Sequence, residues 1–397
     1  MAIRKTALTA AIVAAALAST AFTVPAAATD RTIRTESTVR TESTDRTTGG
    51  HEKTQAAVEA LVREGAPGVL AQARDRDGVW NGTAGVADRD TGRERHPNDR
   101  YRVASITKTF VATVVLQLEA EGRLDLDDTV DRWLPGVVRG NGHDGRKITL
   151  RQLLNHTSGI YEYTADPGFQ AKAFGPGFLQ HRYDTWTPRQ LVGIAMGHRP
   201  DFAPGTDWSY SNTNYIVAGM VIEKVTGRPY GEEIERRILK PLKLRATSVP
   251  GTDARMPKPS GRAYSTLMAA EPNAPVHDVT ELNPSGAWAA GEMISDSADL
   301  QRFVRALLTG KLLPPAQMKE LTTTVPVGEG RPTARYGLGV FVDKLSCGTE
   351  VWGHTGGIHG SLSNVVATRD GRQSLALNVN GDWAGNTRQI VEAEFCG

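Results

Sequence analysis

Apolar residues Phe110, Val111, Val114, Val115 and Leu118 recur at helical spacing and form a broad face. Glu119, Glu121 and Gly122 supply a polar end and a stop, so the pattern predicts a mostly buried helix that begins at Ser105. An earlier run, Ala57, Val58, Leu61 and Val62, predicts a helix over 51–64, ended by Gly65. Between the two, 68–73 and 79–86 read as a β-hairpin around Asp77-Gly78, and Asp90-Thr91-Gly92 forms a second turn. From Ser105 to about Asn283 the pattern is mainly helices and long loops. The Pro- and Gly-rich stretches 164–177 and 250–284 read as irregular and exposed. β-patterns return at 336–344, 350–354, 363–368 and 374–380, with Asp370-Gly371 as a turn, and 386–395 closes as a helix. Strands and helices at both ends around a helical middle suggest one lobe interrupted by another, with Ser105 at their seam.

The chain has 397 residues, 46 basic and 44 acidic, with no basic stripe, so nothing points to nucleic acid or a membrane surface as partner. Arg4 and Lys5 precede an alanine-rich apolar run to about Val24, and Ala26-Ala27-Ala28 offers a cleavage site. A membrane anchor is the alternative, but the weak run and that site predict a signal peptide over 1–28 and export. Residues 29–50, rich in Thr, Ser, Arg and Glu and containing a near-repeat, are too polar to form a core and read as a disordered arm. Two cysteines, Cys347 and Cys396, suggest a disulfide in an exported protein, with two free buried thiols as the alternative. The nine histidines show no ligand spacing, so no metal is expected, and no cofactor.

Ser-x-x-Lys occurs once, at Ser105 and Lys108, which share a helix face. Ser105 there is either an N-cap or a nucleophile served by a desolvated amine able to accept its proton. Tyr210-Ser211-Asn212 follows Pro204-Gly205 and precedes an apolar stretch. Tyr210 is either an amphipathic surface residue or a phenol that exchanges protons with Ser105, held partly ionised by Lys108. Asn212 would offer an amide to a substrate carbonyl. His354-Thr355-Gly356-Gly357 ends a predicted strand. Its glycines are turn residues, or they let a ligand lie on the strand edge and aim the Gly357 N–H, with that of Ser105, at an oxyanion. A Gly-x-Ser-x-Gly elbow, a His-Glu-x-x-His helix and a phosphate loop are all missing. Gly140-Asn141-Gly142-His143-Asp144-Gly145 fits a dinucleotide pattern but follows a helical signal, and reads as a flexible loop.

Ser105-Ile106-Thr107-Lys108, Tyr210-Ser211-Asn212 and His354-Thr355-Gly356 together resemble the penicillin-recognising serine hydrolases, the β-lactamase/DD-peptidase superfamily. The secreted D-alanyl-D-alanine carboxypeptidases are the nearest in pattern. Leu154-Asn155-His156-Thr157-Ser158-Gly159 is a further hallmark of the group, expected as a structural loop near the cleft. The resemblance implies an α+β fold of two lobes. An antiparallel sheet flanked by N- and C-terminal helices (51–103 and 285–397) would carry an inserted all-α lobe (104–284). It also supports a Cys347–Cys396 disulfide.

For the site, the resemblance implies that Ser105 is acylated and that Lys108 and Tyr210 move its proton. Asn212, His354, Thr355 and Gly356 would bind substrate, and the Ser105 and Gly357 amides would hold the oxyanion. The implied activity is a monomeric serine-type carboxypeptidase on cell-wall stem peptides, acylated by β-lactams. Esterase, D-aminopeptidase or amidase, β-lactamase and a non-turnover penicillin sensor are alternatives. One departure bears on substrate. Where carboxypeptidases of this kind carry an arginine and a hydroxyl for the terminal carboxylate, this chain has Phe341 and Gly357. Arg335 or Lys344 would have to substitute.

Overall fold

The computed structural model describes residues 50–269, 271, 273–328 and 333–397. The expected signal peptide, and all of the polar arm but Gly50, lie outside them.

Among the described residues, eight strands form one antiparallel sheet. They are β1 (Gly68–Arg74), β2 (Val79–Gly85), β3 (Val325–Pro326), β4 (Ala334–Tyr336), β5 (Phe341–Lys344), β6 (Glu350–Ile358), β7 (Ser361–Thr368) and β8 (Ser374–Val379), in spatial order β2-β1-β8-β7-β6-β5-β4-β3. The two ends of the chain meet where β1 pairs with β8, Val69 opposite Val379. Central β8 is buried at every position, and its alternation divides the core. Leu375, Leu377 and Val379 pack with Val58 and Leu61 of α1 (Glu52–Arg63) and Ile390 and Val391 of the closing helix Arg388–Cys396. Ala376 faces the other layer, with Phe303 and Leu307 of the helix Ser297–Leu308. Period-two strands covered on both faces explain why these segments read as nearly continuous apolar runs.

Two helices bring the site together, α2 (Thr107–Ala120) and α3 (Asn212–Thr226). Every α2 residue from Thr107 to Leu116 is buried, so the helix lies inside the molecule rather than on its surface.

Several sequence expectations shift. The strand expected over 336–344 is broken at 337–340. Gly339, at φ 75°, brings its carbonyl to the Thr109 hydroxyl (2.7 Å), and an added Cβ there would sit 2.6 Å from that of Ala112. The strand expected to stop at His354 runs on to Ile358 and turns at Gly360. The 140–145 loop is a small ribbon, Arg139–Gly140 against His143–Asp144. The first hairpin has four loop residues, 75–78, because the Asp75 carboxylate accepts the Asp77 and Gly78 amides. Stretch 164–177 holds a helix, Pro167–Ala173, capped by Asp166 with Pro at its start, and buries Phe169. Stretch 250–284 contributes a ribbon, Tyr264–Ser265 with His277–Asp278, and the buried residues Leu267, Val279 and Leu282. Cys347 and Cys396 form a disulfide, Cα–Cα 5.6 Å, tying the β5–β6 loop to the closing helix.

Candidate active site

Ser105 sits in a tight 3-10 turn, Ala104–Ile106, and the helix proper starts at Thr107. Ala104 holds φ 47°, a conformation costly for a residue with a Cβ, so the turn must be held by its surroundings. On one side the Val103 amide donates to the Met293 carbonyl (2.9 Å), and Met293 returns its amide to the Thr107 hydroxyl (3.2 Å). On the other side the Ser361 and Ser363 hydroxyls of β7 donate to the Arg102 and Val103 carbonyls. The first turn of α2 has no side-chain cap. The N-cap reading of Ser105 is therefore not realised.

Lys108 is fully buried, and its Nζ reaches Ser105 Oγ at 2.9 Å, Asn212 Oδ1 at 2.7 Å and the Ala290 carbonyl at 2.6 Å. Burial lowers its pKa to about 7, against an opposing pull from the Glu162 carboxylate. The neutral amine has two N–H bonds and one lone pair. Two of its three neighbours are carbonyl oxygens that can only accept, so the lone pair is left facing Ser105.

The Tyr210 ring lies under this amine, Nζ 4.9 Å from its centroid, and the Ser105 hydroxyl acts on its phenol. Burial raises the phenol above its ordinary value. Tyr210 is therefore a protonated phenol, not the partly ionised one expected from Lys108 nearby. His156 braces it from below, with rings 4.3 Å apart. Its Nδ1 accepts the Ser211 amide (3.1 Å), and burial, then Lys108 and His354, hold the imidazole well below its usual pKa. The 154–159 loop is thus structural, as expected, and lies directly under the site.

The strand β6 forms the facing wall. β5 covers it only up to Gly353, so residues 354–358 present an open edge. His354 is buried. Its Nδ1 donates to the Thr355 carbonyl (2.6 Å), which leaves Nε2 to accept from the Tyr336 hydroxyl (3.0 Å). Thr355 and Gly357 are exposed. A Cβ on Gly356 would lie 2.1 Å from the Val103 carbonyl, whereas one on Gly357 would make ordinary contact. The first glycine therefore serves the close approach of β6 to the nucleophile turn rather than ligand access. The structure brings Ser105, Lys108 and Asn212 into bonded contact, with the Tyr210 ring against the Lys108 amine and His354 on the facing wall, 6.3 Å from Tyr210 ring to ring.

The carboxylate-binding substitutes do not reach the cleft. Arg335 is exposed and spends its guanidinium on Thr324, and Lys344 lies at the far end of β5, opposite Glu350 in the strand register. Phe341 packs instead against Tyr336 (4.5 Å) and His354 (5.1 Å). One residue went unread in the sequence: Glu162. Its carboxylate accepts the amides of Asn212 and Thr164, and its charge acts on both Lys108 and Tyr210. A lone acid three residues beyond the Leu154–Gly159 hallmark was the available signal. Among the described residues, no cluster of side chains could hold a metal ion, and no helix is long and apolar enough to cross a membrane.

Comparisons with known proteins fit this geometry. The family model described as Beta-lactamase matches residues 54–388. Penicillin-binding protein 4* of Bacillus subtilis is 27% identical over 322 residues, which cover 78% of this chain and 66% of that protein. The chain thus spans just under two thirds of that relative's length. A D-stereospecific amidohydrolase from Streptomyces sp. is 66% identical, with a TM-score of 0.84 over 87% of this chain and 99% of the other. The D-amino acid amidase of Ochrobactrum anthropi SV3, solved with L-phenylalanine amide, is 28% identical, with a TM-score of 0.74 over 86% and 97%. With the family match spanning most of the sequence, this chain belongs to the beta-lactamase family and is a serine hydrolase of the superfamily that includes the penicillin-binding proteins.

Proposed function

We propose that this serine hydrolase is a D-stereospecific amidohydrolase that cleaves amides of D-amino acids through an acyl-serine. The observation that carries this over carboxypeptidase activity is the apolar wall at Phe341, with Arg335 turned to Thr324 rather than to the cleft. The 66% identity to an amidohydrolase supports the same choice. Glu162 adds a reason for an amino-acid amide, because a carboxylate beside Asn212 suits a free α-ammonium.

The geometry supports the following steps. Neutral Lys108 takes the Ser105 proton as Oγ adds to the amide carbonyl, and the Ser105 and Gly357 amides stabilise the oxyanion by several kcal/mol. With Oδ1 held by Lys108, the Asn212 NH2 is left to orient the acyl group. The C–N bond breaks as the proton passes from Lys108, through the protonated Tyr210 phenol, to the departing amine. Water then adds to the ester, giving the free D-amino acid and restoring Ser105. Export is part of the proposal, supported by the N-terminal signal pattern and the disulfide.

Steady-state assays of D- and L-phenylalanine amide, beside a D-Ala-D-Ala peptide and its C-terminal amide, test the reading. The expected result is hydrolysis of the D-amide over the L-amide, and of the blocked peptide over the free one. Preference for the free carboxylate would return the assignment to a carboxypeptidase. Persistent acylation by a β-lactam, read by intact mass, without turnover of any amide or ester would indicate a sensor instead.

A further inference from the structure

The segment that gives Lys108 its Ala290 acceptor also borders a separate cavity of about 800 Å³, lined by residues 223–251 and by Trp288 and Glu292. Ser105, Lys108 and Tyr210 are not among its lining residues. Its floor is acidic and aromatic. Glu292 is 1% exposed, and the Tyr230 hydroxyl donates to its Oε1, while Oε2 has no hydrogen-bond partner. Glu223, half-buried on the wall, accepts the Tyr230 amide (3.2 Å). The Tyr230 and Trp288 rings meet edge to face at 4.7 Å.

An unmet oxygen on a buried carboxylate is costly, and the Tyr230 hydroxyl and the Gly251 backbone, both in the cavity wall, offset that cost only in part. The basic lining residues, Lys240, Lys243 and Arg245, are exposed at the rim, and Lys240 is paired with Glu235 at 3.1 Å. The Arg102 guanidinium acts on Glu292 electrostatically, but its hydrogen bonds go to the Ala254 and Leu282 carbonyls. Burial pushes the Glu292 carboxyl up to about 7 and raises that of Glu223 as well, a cost that a neighbouring positive charge would remove.

We infer that this cavity is a second ligand site, for an organic ammonium held against Glu292 and Glu223, with its apolar groups on Tyr230 and Trp288. Two acids supply the counter-charge and two rings supply cation–π faces. The volume suits a small molecule rather than a bare ion.

Benzyltrimethylammonium is a suitable probe, since a quaternary amine is neither substrate nor nucleophile. Titration of the full chain, followed by calorimetry and saturation-transfer NMR, should give one saturable site. Glu292→Gln should weaken it at least about tenfold, and Glu223→Gln about threefold or more. Glu162→Gln, which alters the catalytic cleft, should leave the affinity in place. Lack of saturable binding would overturn the proposal, as would equal affinity in the wild type and both cavity variants. Loss of binding in Glu162→Gln alone would assign the probe to the cleft and equally end the case. Should Glu292→Gln fail to fold, the half-buried Glu223→Gln carries the same test.

Discussion

The two sides of the cleft are built by different means. On the nucleophile side, Ser105 and Lys108 are three residues apart on one helical turn, and the amine meets three oxygens within 2.9 Å. On the facing side, β6 owes its place to pairing with β7 and to Gly356 fitting against the Val103 carbonyl. The first side holds a desolvated amine whose bonds are all met. The second holds an open strand edge and the ring of Phe341. In the proposed reading one side supplies the reaction and the other the choice of substrate. Changes to the first should act on kcat, and changes to the second on the ratio between substrates.

The largest effect should come from emptying the nucleophile side. Ser105→Ala and Lys108→Met should each lower kcat/KM by about 10³-fold or more. Because Lys108→Met replaces a buried amine with an apolar chain of similar length, its midpoint in urea should rise while activity is lost. In the wild type, kcat/KM should climb through pH 7 and then level, as the Lys108 ammonium gives up its proton. The sign for stability is the same. The unfolded chain keeps this proton up to about 10.5 while the folded one loses it near 7, so this group's contribution to stability rises with pH between those values. A flat profile across pH 6–9 would remove Lys108 as the base.

Next comes the seam between the two sides. Gly356→Ala would put a methyl 2.1 Å from the Val103 carbonyl, and backbone must shift to admit it. We expect a loss of about 2–3 kcal/mol in chemical unfolding and about 10²-fold in kcat/KM, since β6 would be displaced from Ser105. Gly357→Ala, whose Cβ would make ordinary contact with Leu362, is the control and should cost far less. Equal effects of the two would mean that the facing wall is not positioned through Gly356.

Phe341→Arg tests selection alone. An arginine on β5 beside His354 should raise the ratio of free-carboxylate to amide-blocked peptide by about 10–100-fold, the strength of a paired carboxylate. Competition between the two peptides in one reaction reads that ratio directly. No change would mean that the wall at Phe341 does not touch the leaving group.

This asymmetry also explains what the sequence could convey. Ser105 and Lys108 were legible because their relation is local: spacing alone puts them on one face. The hairpins and the helix 51–64 were legible for the same reason. Gly356 was misread, because its reason for being glycine is a carbonyl more than 250 residues away in the chain. The partly ionised state expected for Tyr210 is not found, since burial against His156 and Tyr336 is a tertiary fact. Glu162 left no trace in any periodicity. It matters only because the start of α3 turns the Asn212 amide toward it. The break at Gly339 likewise depends on α2 lying against it.

The smallest expected effect lies deepest in the facing wall. Tyr336 is fully buried, and its ring packs edge-on against Phe341 while its hydroxyl serves His354 Nε2. Tyr336→Phe keeps the ring and removes the hydroxyl, which acts on Tyr215 as well as on His354. It should cost about 1 kcal/mol of stability, the usual net worth of such a bond. Without the Tyr336 donor the His354 ring is held less firmly, and its Nδ1 bond to the Thr355 carbonyl lies on the edge where substrate would pair. KM should therefore rise by about three- to tenfold with kcat nearly unchanged. A fall in kcat with KM constant would mean that Tyr336 works through Tyr210 on the nucleophile side, and the division of labour between the two walls would not hold.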